Sequence, residues 1–383
     1  MRLSKNNYLY GGILFLFVVF SQGSDQALSG YVKNVSTLST LDFNRYSNFN
    51  YLHNRLNYRV DMTSSWQGAL EIRNRLFYGD NINPNGLFTS SLEASEKPLA
   101  MSKALVDKEN ILLFSEVDRA YIRGNIQDME ITIGRQRINW GVNLAWTPND
   151  LFNVYNYTDF EYSERAGTDG VKVEYYLSEL SSIQWAFNIP KKRDSLIVAA
   201  LYKWNQWNYD IQILLGNYHK DGVLGMGWAG NLYNGGLKGE LSWFEPHENR
   251  FKKKGVVTGA VSLDYFFEKP FYILGSFLFN SQGAKNQKEL SKNYLAQSLS
   301  PKNLMPTRYN LLLQGNWMAT PLWVMDLSTI YTLGVHGIYV LPSLSYSLSE
   351  NGSLSLLYQG WFSLSNDIAV LQSSGNILIS FNF

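Results

Sequence analysis

The chain has 383 residues, with 33 basic and 32 acidic side chains, a formal net charge of +1 and no cysteine. Near-neutrality excludes a global attraction to nucleic acid or to an anionic membrane, so any electrostatic function is local. The lack of cysteine excludes disulfides and thiolate zinc sites.

Arg2 and Lys5 precede an apolar run from Tyr8 to Phe20 and then Ser21-Gln22-Gly23. This is the pattern of a secretory signal cleaved near Gly23, leaving residues 24–383 as one domain. The alternative, a membrane anchor, needs about 20 apolar residues and finds fewer. No linker, charge run or composition break divides the remainder, and 25 tyrosines and 11 tryptophans accompany the absence of a second long apolar run. A single β domain is expected.

From Ala27 onward one unit recurs: a segment of alternating apolar and polar residues, then a turn. Trp207-Asn208-Tyr209-Asp210-Ile211-Gln212-Ile213 shows it, apolar at odd positions and polar at even ones. Such strands have one greasy and one wet face. With the greasy face toward lipid the sheet must close, because no backbone polar group can be left unpaired there.

Short connections fall near 63–64, 127–128, 178–179, 205–206, 234–236, 268–269, 320–321 and 351–352. The alternate connections, near 39–46, 80–111, 139–166, 190–193, 219–222, 249–253, 284–303, 333–337 and 364–367, include every long one. This segregation predicts a closed antiparallel transmembrane β-barrel of about 18 strands, 16 being the next choice. Within the long connections, Ser91 to Glu109 and Lys285 to Ser298 carry loosely helical spacing.

Charge is concentrated early in the chain, where ten of the 14 arginines lie between Arg45 and Arg165. By alternation, His53, Arg55, Asn57, Arg59 and Asp61 oppose Leu52, Leu56, Tyr58 and Val60; Glu71, Arg73 and Arg75 oppose Leu70, Ile72 and Leu76; and Arg119, Tyr121 and Arg123 oppose Ala120 and Ile122. The next segment sets Met129, Ile131 and Ile133 against Glu130 and Thr132, but Ile138 and Trp140 have the other parity. A β-bulge near Gly134 would absorb the slip and turn Arg135, Arg137 and Asn139 inward.

Magnitude decides the sidedness. An arginine facing lipid costs about 2–4 kcal/mol near the midplane, so eight would cost on the order of 10–30 kcal/mol against a typical stability of about 5–15 kcal/mol. They are expected to face the lumen. The rest of the wall reads as mostly Asn, Gln, Ser, Asp and Tyr. The bland alternative is that the arginines brace the wall with Glu71, Glu116, Asp118 and Glu130.

The connection that follows, the third on its side, carries Trp146, Asp150, Asp159, Glu161 and Glu164 with several aromatics. Its composition resembles the inward third loop of general porins, whose acidic residues face a basic wall. Gly134-Arg135-Gln136-Arg137-Ile138-Asn139-Trp140-Gly141 is similar to the signature of the alginate-export-like outer-membrane porins. That resemblance covers about eight residues plus the strand plan. It implies an 18-stranded barrel with an arginine-lined lumen for anionic polysaccharide, although the following Trp146 to Asn153 departs from that pattern.

The last segment alternates Ile377, Ile379, Phe381 and Phe383. It resembles the terminal strand by which the barrel-assembly machinery recognises Gram-negative outer-membrane proteins, with Phe383 as the contact. Four histidines on separate segments, no Gly-x-Ser-x-Gly and no His-Glu-x-x-His argue against an enzyme. No cofactor or metal is expected, and the basic residues lack the clustering of a nucleic-acid surface.

The expectation is therefore a passive outer-membrane pore for small polar or anionic solutes, sugars or oligosaccharides among the candidates, with membrane lipid around it. The alternatives are a structural or adhesive barrel with a closed lumen and a secreted soluble β protein.

Overall fold

The computed structural model describes residues 25–40, 46–79, 82–83, 86–93, 99–155, 157, 159, 167–247, 254–293, 299–364 and 369–383. The segment read as a signal, residues 1–23, lies outside them, as do Glu161 and Glu164.

The alternating segments form antiparallel strands of one closed sheet. Strands β1 (Gln26–Thr40), β2 (Tyr46–Thr63) and β3 (Trp66–Gly79) are followed by a short helix α1 (Leu87–Glu93), then β4 (Ser102–Lys108), β5 (Ile111–Ile126) and β6 (Met129–Gln136). The circuit continues through β7 (Thr168–Ser178), β8 (Ser181–Asn188), β9 (Ile197–Gln206), β10 (Tyr209–Tyr218), β11 (Asp221–Leu232), β12 (Gly235–Pro246) and β13 (Val256–Phe266). It ends with β14 (Phe271–Asn280), helix α2 (Gln287–Asn293), β15 (Tyr309–Met318), β16 (Trp323–Leu333), β17 (Gly337–Ser347), β18 (Gly352–Ser363) and β19 (Ala369–Asn382).

Eighteen strands close the barrel and β4 is extra. Closure is made by β1 and β19, which pair from Tyr31↔Asn382 to Thr40↔Ser373. Gly30 and Phe383 extend the seam with reciprocal backbone bonds of 2.8 and 3.0 Å.

Burial separates the two faces. Ile213, Leu215, Leu224, Met226, Leu241, Leu263, Leu313 and Leu327 are exposed on the outer face, between two aromatic rims. Phe187, Trp243, Phe277 and Tyr309 lie toward the long connections, and Trp207, Tyr233, Phe266, Trp317, Trp323 and Phe381 toward the short turns. An apolar band between aromatic girdles is the surface a membrane-spanning barrel presents to lipid.

One local expectation is overturned. The segment 91–109 is not one helix: α1 ends at Glu93, and Ser102–Lys108 is strand β4. The β-branched and aliphatic Ala104-Leu105-Val106 favours a pleated edge once β5 offers unpaired backbone groups. The segment from Lys285 to Ser298 does carry a short helix, α2 at Gln287–Asn293.

The bulge expected near Gly134 is also absent. β6 keeps register through it on both sides, with Tyr121↔Gly134 and Gly134↔Gly170. The glycine serves close approach: its φ is +122°, and a Cβ would stand 2.3 Å from the Ala120 carbonyl oxygen. A bulge does occur on β5, where Glu71↔Arg119 is followed by Ile72↔Val117 and Asp118 is the extra residue.

Residues 111–116 of β5 pair with β3 on one flank and β4 on the other, whereas residues 120–126 pair with β3 and β6. Strands β4 and β6 thus occupy the same flank in succession. Where β6 stops and the chain enters the lumen, β4 continues the pairing on that flank of β5.

Candidate functional site: the lumen and its inward loop

The connection after β6 touches wall residues on widely separated strands, which is possible only from inside the barrel. Trp140 donates its indole N–H to Gln184 of β8 at 2.7 Å, and Gln212 of β10 donates to the Trp140 carbonyl at 2.6 Å. Asn149 donates to the Met226 carbonyl of β11 at 3.0 Å and accepts from Ser242 of β12 at 2.7 Å. Tyr157 donates to Gln314 of β15 at 2.9 Å.

The strongest anchor is Glu240 of β12, which is 1% exposed. One carboxylate oxygen accepts the N–H groups of Val142 and Asn143 at 2.6 and 2.7 Å, and the other accepts that of Asn149 at 2.8 Å. Three amides converge on one carboxylate, so fixed dipoles offset the cost of burying its charge.

Apolar contacts complete the docking. Ile138, Trp140, Leu151 and Phe152 pack on Ala186, Ala199, Leu201, Leu214, Val223, Phe244 and Val256. Trp146 joins Ala260, Leu274, Leu278, Leu312 and Ile330, with Leu304 and Met305 of the β14–β15 connection. This corrects the expectation that the rest of the wall is mostly polar: from β8 to β16 the inner face carries buried apolar side chains where the loop lies. Gly225 and Gly227 belong to this dock, because a Cβ there would meet Asn149 at 2.6 and 3.1 Å.

Ile138 and Trp140 therefore face the wall, while Arg137 and Asn139, which alternate with them, are exposed and joined by a 3.2 Å hydrogen bond. Trp146 and Asp150 are buried at 1% and 0% exposure, and neither faces the basic sector. Asp150 accepts the N–H groups of Trp140 and Gly141 at 2.7 and 2.8 Å, closing the loop on itself. Asp159 is exposed, and its charge adds to burial in raising the pKa of Tyr155. Burial pushes the Tyr157 hydroxyl up to about 12, so it remains a proton donor throughout the physiological range.

On β2, β3 and β5 the arginines share one face, opposite Leu52 and Ile122, and meet carboxylates there. Arg55, wholly buried, bonds Glu71 and lies 2.8 Å from Asp118, the residue that the β5 bulge presents. Glu116 bridges Arg73 and Arg75 at 2.7 and 3.3 Å, and Arg119 reaches Glu71 at 3.3 Å. Arg123 lies 3.7 Å from Glu130 and over the Tyr121 ring, while Lys172 contacts Glu130 and Glu174 at 3.1 and 3.4 Å. Arg59 is exposed, and the Arg123 side chain is 40% exposed. The deeper arginines thus brace adjacent strands, and Arg59 and Arg123 meet solvent toward the short-turn end.

Above them the second long connection also turns inward. Phe88 and Leu92 of α1 pack against Val35, Tyr51, Phe77, Leu112 and Phe114, and Arg75 lies 5.5 and 5.6 Å from the Phe77 and Phe114 rings. The sequence signalled one inward loop; three contribute.

Arg135 departs most from expectation. Its guanidinium sits within the wall at the junction of β4 and β6, with 3% of its side chain exposed. It donates to both oxygens of Asp169 at 2.6 and 3.0 Å and to the Val117 and Leu99 carbonyls at 2.9 and 2.7 Å. The Leu99 N–H returns to Asp169 at 3.3 Å. With no bulge at Gly134 to rotate it, Arg135 follows the register of Asp169 and stitches the seam.

An apolar girdled barrel narrowed by inward loops is the fold of Gram-negative outer-membrane porins. OccAB4 of Acinetobacter baumannii matches with a TM-score of 0.61 at 8% identity, over 94% of this chain and 99% of that one. OccK11 (OpdR) of Pseudomonas aeruginosa gives 0.59 at 9% identity over 94% and 96%, and its OccK5 (OpdH) 0.58 at 7% over 94% and 98%. At these identities the likeness is one of fold. No family model matches the sequence, that of the alginate-export-like porins included, and no curated protein sequence matches it significantly.

Proposed function

We propose that the protein is a passive outer-membrane channel for small polar or anionic solutes, which pass between the docked third loop and the arginine sector. The observation that carries this reading is the docking itself. The loop is held against β8 to β16 through Glu240 and the apolar patches, so it narrows the lumen from one side. Arg59, Arg123 and the loop's Arg137 supply positive charge in contact with water, and rings of arginine favour anions. Arg55 and Arg73, buried in ion pairs, act chiefly as braces.

The motif resemblance to alginate-export-like porins points to an acidic sugar as one candidate solute. Phe383, half exposed at the closing seam, is available to the assembly machinery. Liposomes containing the protein are expected to swell in isotonic solutions of small polar solutes, and to swell progressively less as solute size increases. Liposomes that remain as impermeable as protein-free ones would favour the reading of a structural barrel with a closed lumen.

A further inference from the structure

From β14, across the lumen from the arginine sector, round to β18, the inner face carries a strip of aromatic rings that the docking does not bury. Tyr157, Tyr272 and Tyr339 pack around the Trp146 cluster, yet each is only partly covered. The Tyr157 and Trp146 rings are 6.3 Å apart, and Tyr339 is 6.0 Å from Trp361 of β18, which is also partly exposed. Tyr155 precedes Tyr157 on the loop. The rings thus span β14, the loop, β17 and β18.

Hydrogen-bonding groups are interleaved with them. Asp264 pairs across β13 and β14 with Leu274, two residues from Tyr272, and Gln359 lies two residues from Trp361 on the same face of β18. Tyr157 donates to Gln314 and lies 3.3 Å from Ser328, while Asn316 donates to Asp326 at 2.6 Å. Asp159, exposed, follows Tyr155 and Tyr157 on the loop. Amides, hydroxyls and carboxylates alternate with ring faces. A cation site would use carboxylates and rings alone; a polyhydroxylated ligand uses all three, since its hydroxyls both donate and accept and its C–H faces lie on rings.

We propose that this strip is a saccharide-binding track, on which the rings of Tyr155, Tyr157, Tyr339 and Trp361 receive sugar faces and Asp159, Asp326 and Gln359 receive hydroxyls. The proposal deepens the channel reading and rests on it for its transport role, though binding can be measured apart from conduction.

Saturation-transfer NMR on the detergent-solubilised full chain, with maltotriose as the probe, is expected to show transfer to the sugar ring protons. Tyr339→Ala or Trp361→Ala, neither of which anchors the loop by a hydrogen bond to it, is expected to weaken binding roughly two- to tenfold, the scale of one ring contact. Arg59→Gln with Arg123→Gln is expected to leave it unchanged. In planar bilayers the same sugar is expected to interrupt the ionic current, with shorter interruptions in the ring variants.

A channel that conducts but neither binds maltotriose nor is interrupted by it overturns the track and leaves the channel standing. Binding without any conductance does the reverse. Interruption by spermidine and not by maltotriose would assign the strip to cations and overturn the proposal as well.

Discussion

Arg135→Ala is expected to destabilise the barrel by about 3–5 kcal/mol, because it leaves Asp169 as a buried, unpaired charge. The side chains of the pair are 3% and 2% exposed, and the guanidinium satisfies two backbone carbonyls besides the carboxylate. The loss should appear as a lower urea midpoint for folding into lipid vesicles. Adding Asp169→Ala should recover part of it, since the stranded carboxylate disappears; the double-mutant cycle then isolates the pair from the backbone contacts. Ion selectivity should hardly move, because Arg135 lies in the wall. A variant that folds like wild type but changes anion preference would place the guanidinium in the lumen.

Glu240→Ala is expected to release the third loop. It removes the acceptor of three backbone N–H groups, each a charge-assisted bond worth about 1.5–3 kcal/mol before lumen water compensates. The apolar docking of Trp140, Trp146, Leu151 and Phe152 remains, so the loop should move without leaving the lumen. Single-channel currents should become noisier, with excursions to higher conductance. Glu240→Gln, which retains an acceptor oxygen, should give a smaller effect of the same kind. A quiet trace of unchanged size from Glu240→Ala would mean that the carboxylate does not set the aperture.

The closed barrel was legible because its signals are local. Period-two alternation and short turns report on residues a few positions apart, and long connections gathered at one end need no knowledge of tertiary contacts. The sequence-derived connections place all eighteen barrel strands, with boundaries shifted by a few residues at turns such as Trp207-Asn208. Alternation likewise puts Arg55, Arg73 and Arg119 on one face, where they meet Glu71 and Glu116.

What escaped depended on contacts distant in sequence. Strand β4 forms because β6 leaves the flank of β5 open, and nothing within Ser102–Lys108 announces that vacancy. Asp150 looked like a charge facing the arginines, yet it closes its own loop at Trp140 and Gly141. In sequence, Glu240 is one acidic residue on the polar face of β12, with nothing nearby to mark the loop it will hold. A signal for the dock was present in Ile213-Leu214-Leu215 and in Ala199-Ala200-Leu201, where apolar residues occupy both parities and so require something apolar inside the barrel. Gly225-Met226-Gly227 likewise marked a place where another backbone comes close.

The most direct test of the channel account is the reversal potential of the purified protein in a planar bilayer under asymmetric potassium chloride. Discrete conductance steps are predicted, with a reversal potential displaced toward that of chloride and a smaller displacement in Arg59→Gln with Arg123→Gln. Folded, inserted protein that yields no steps would contradict the account.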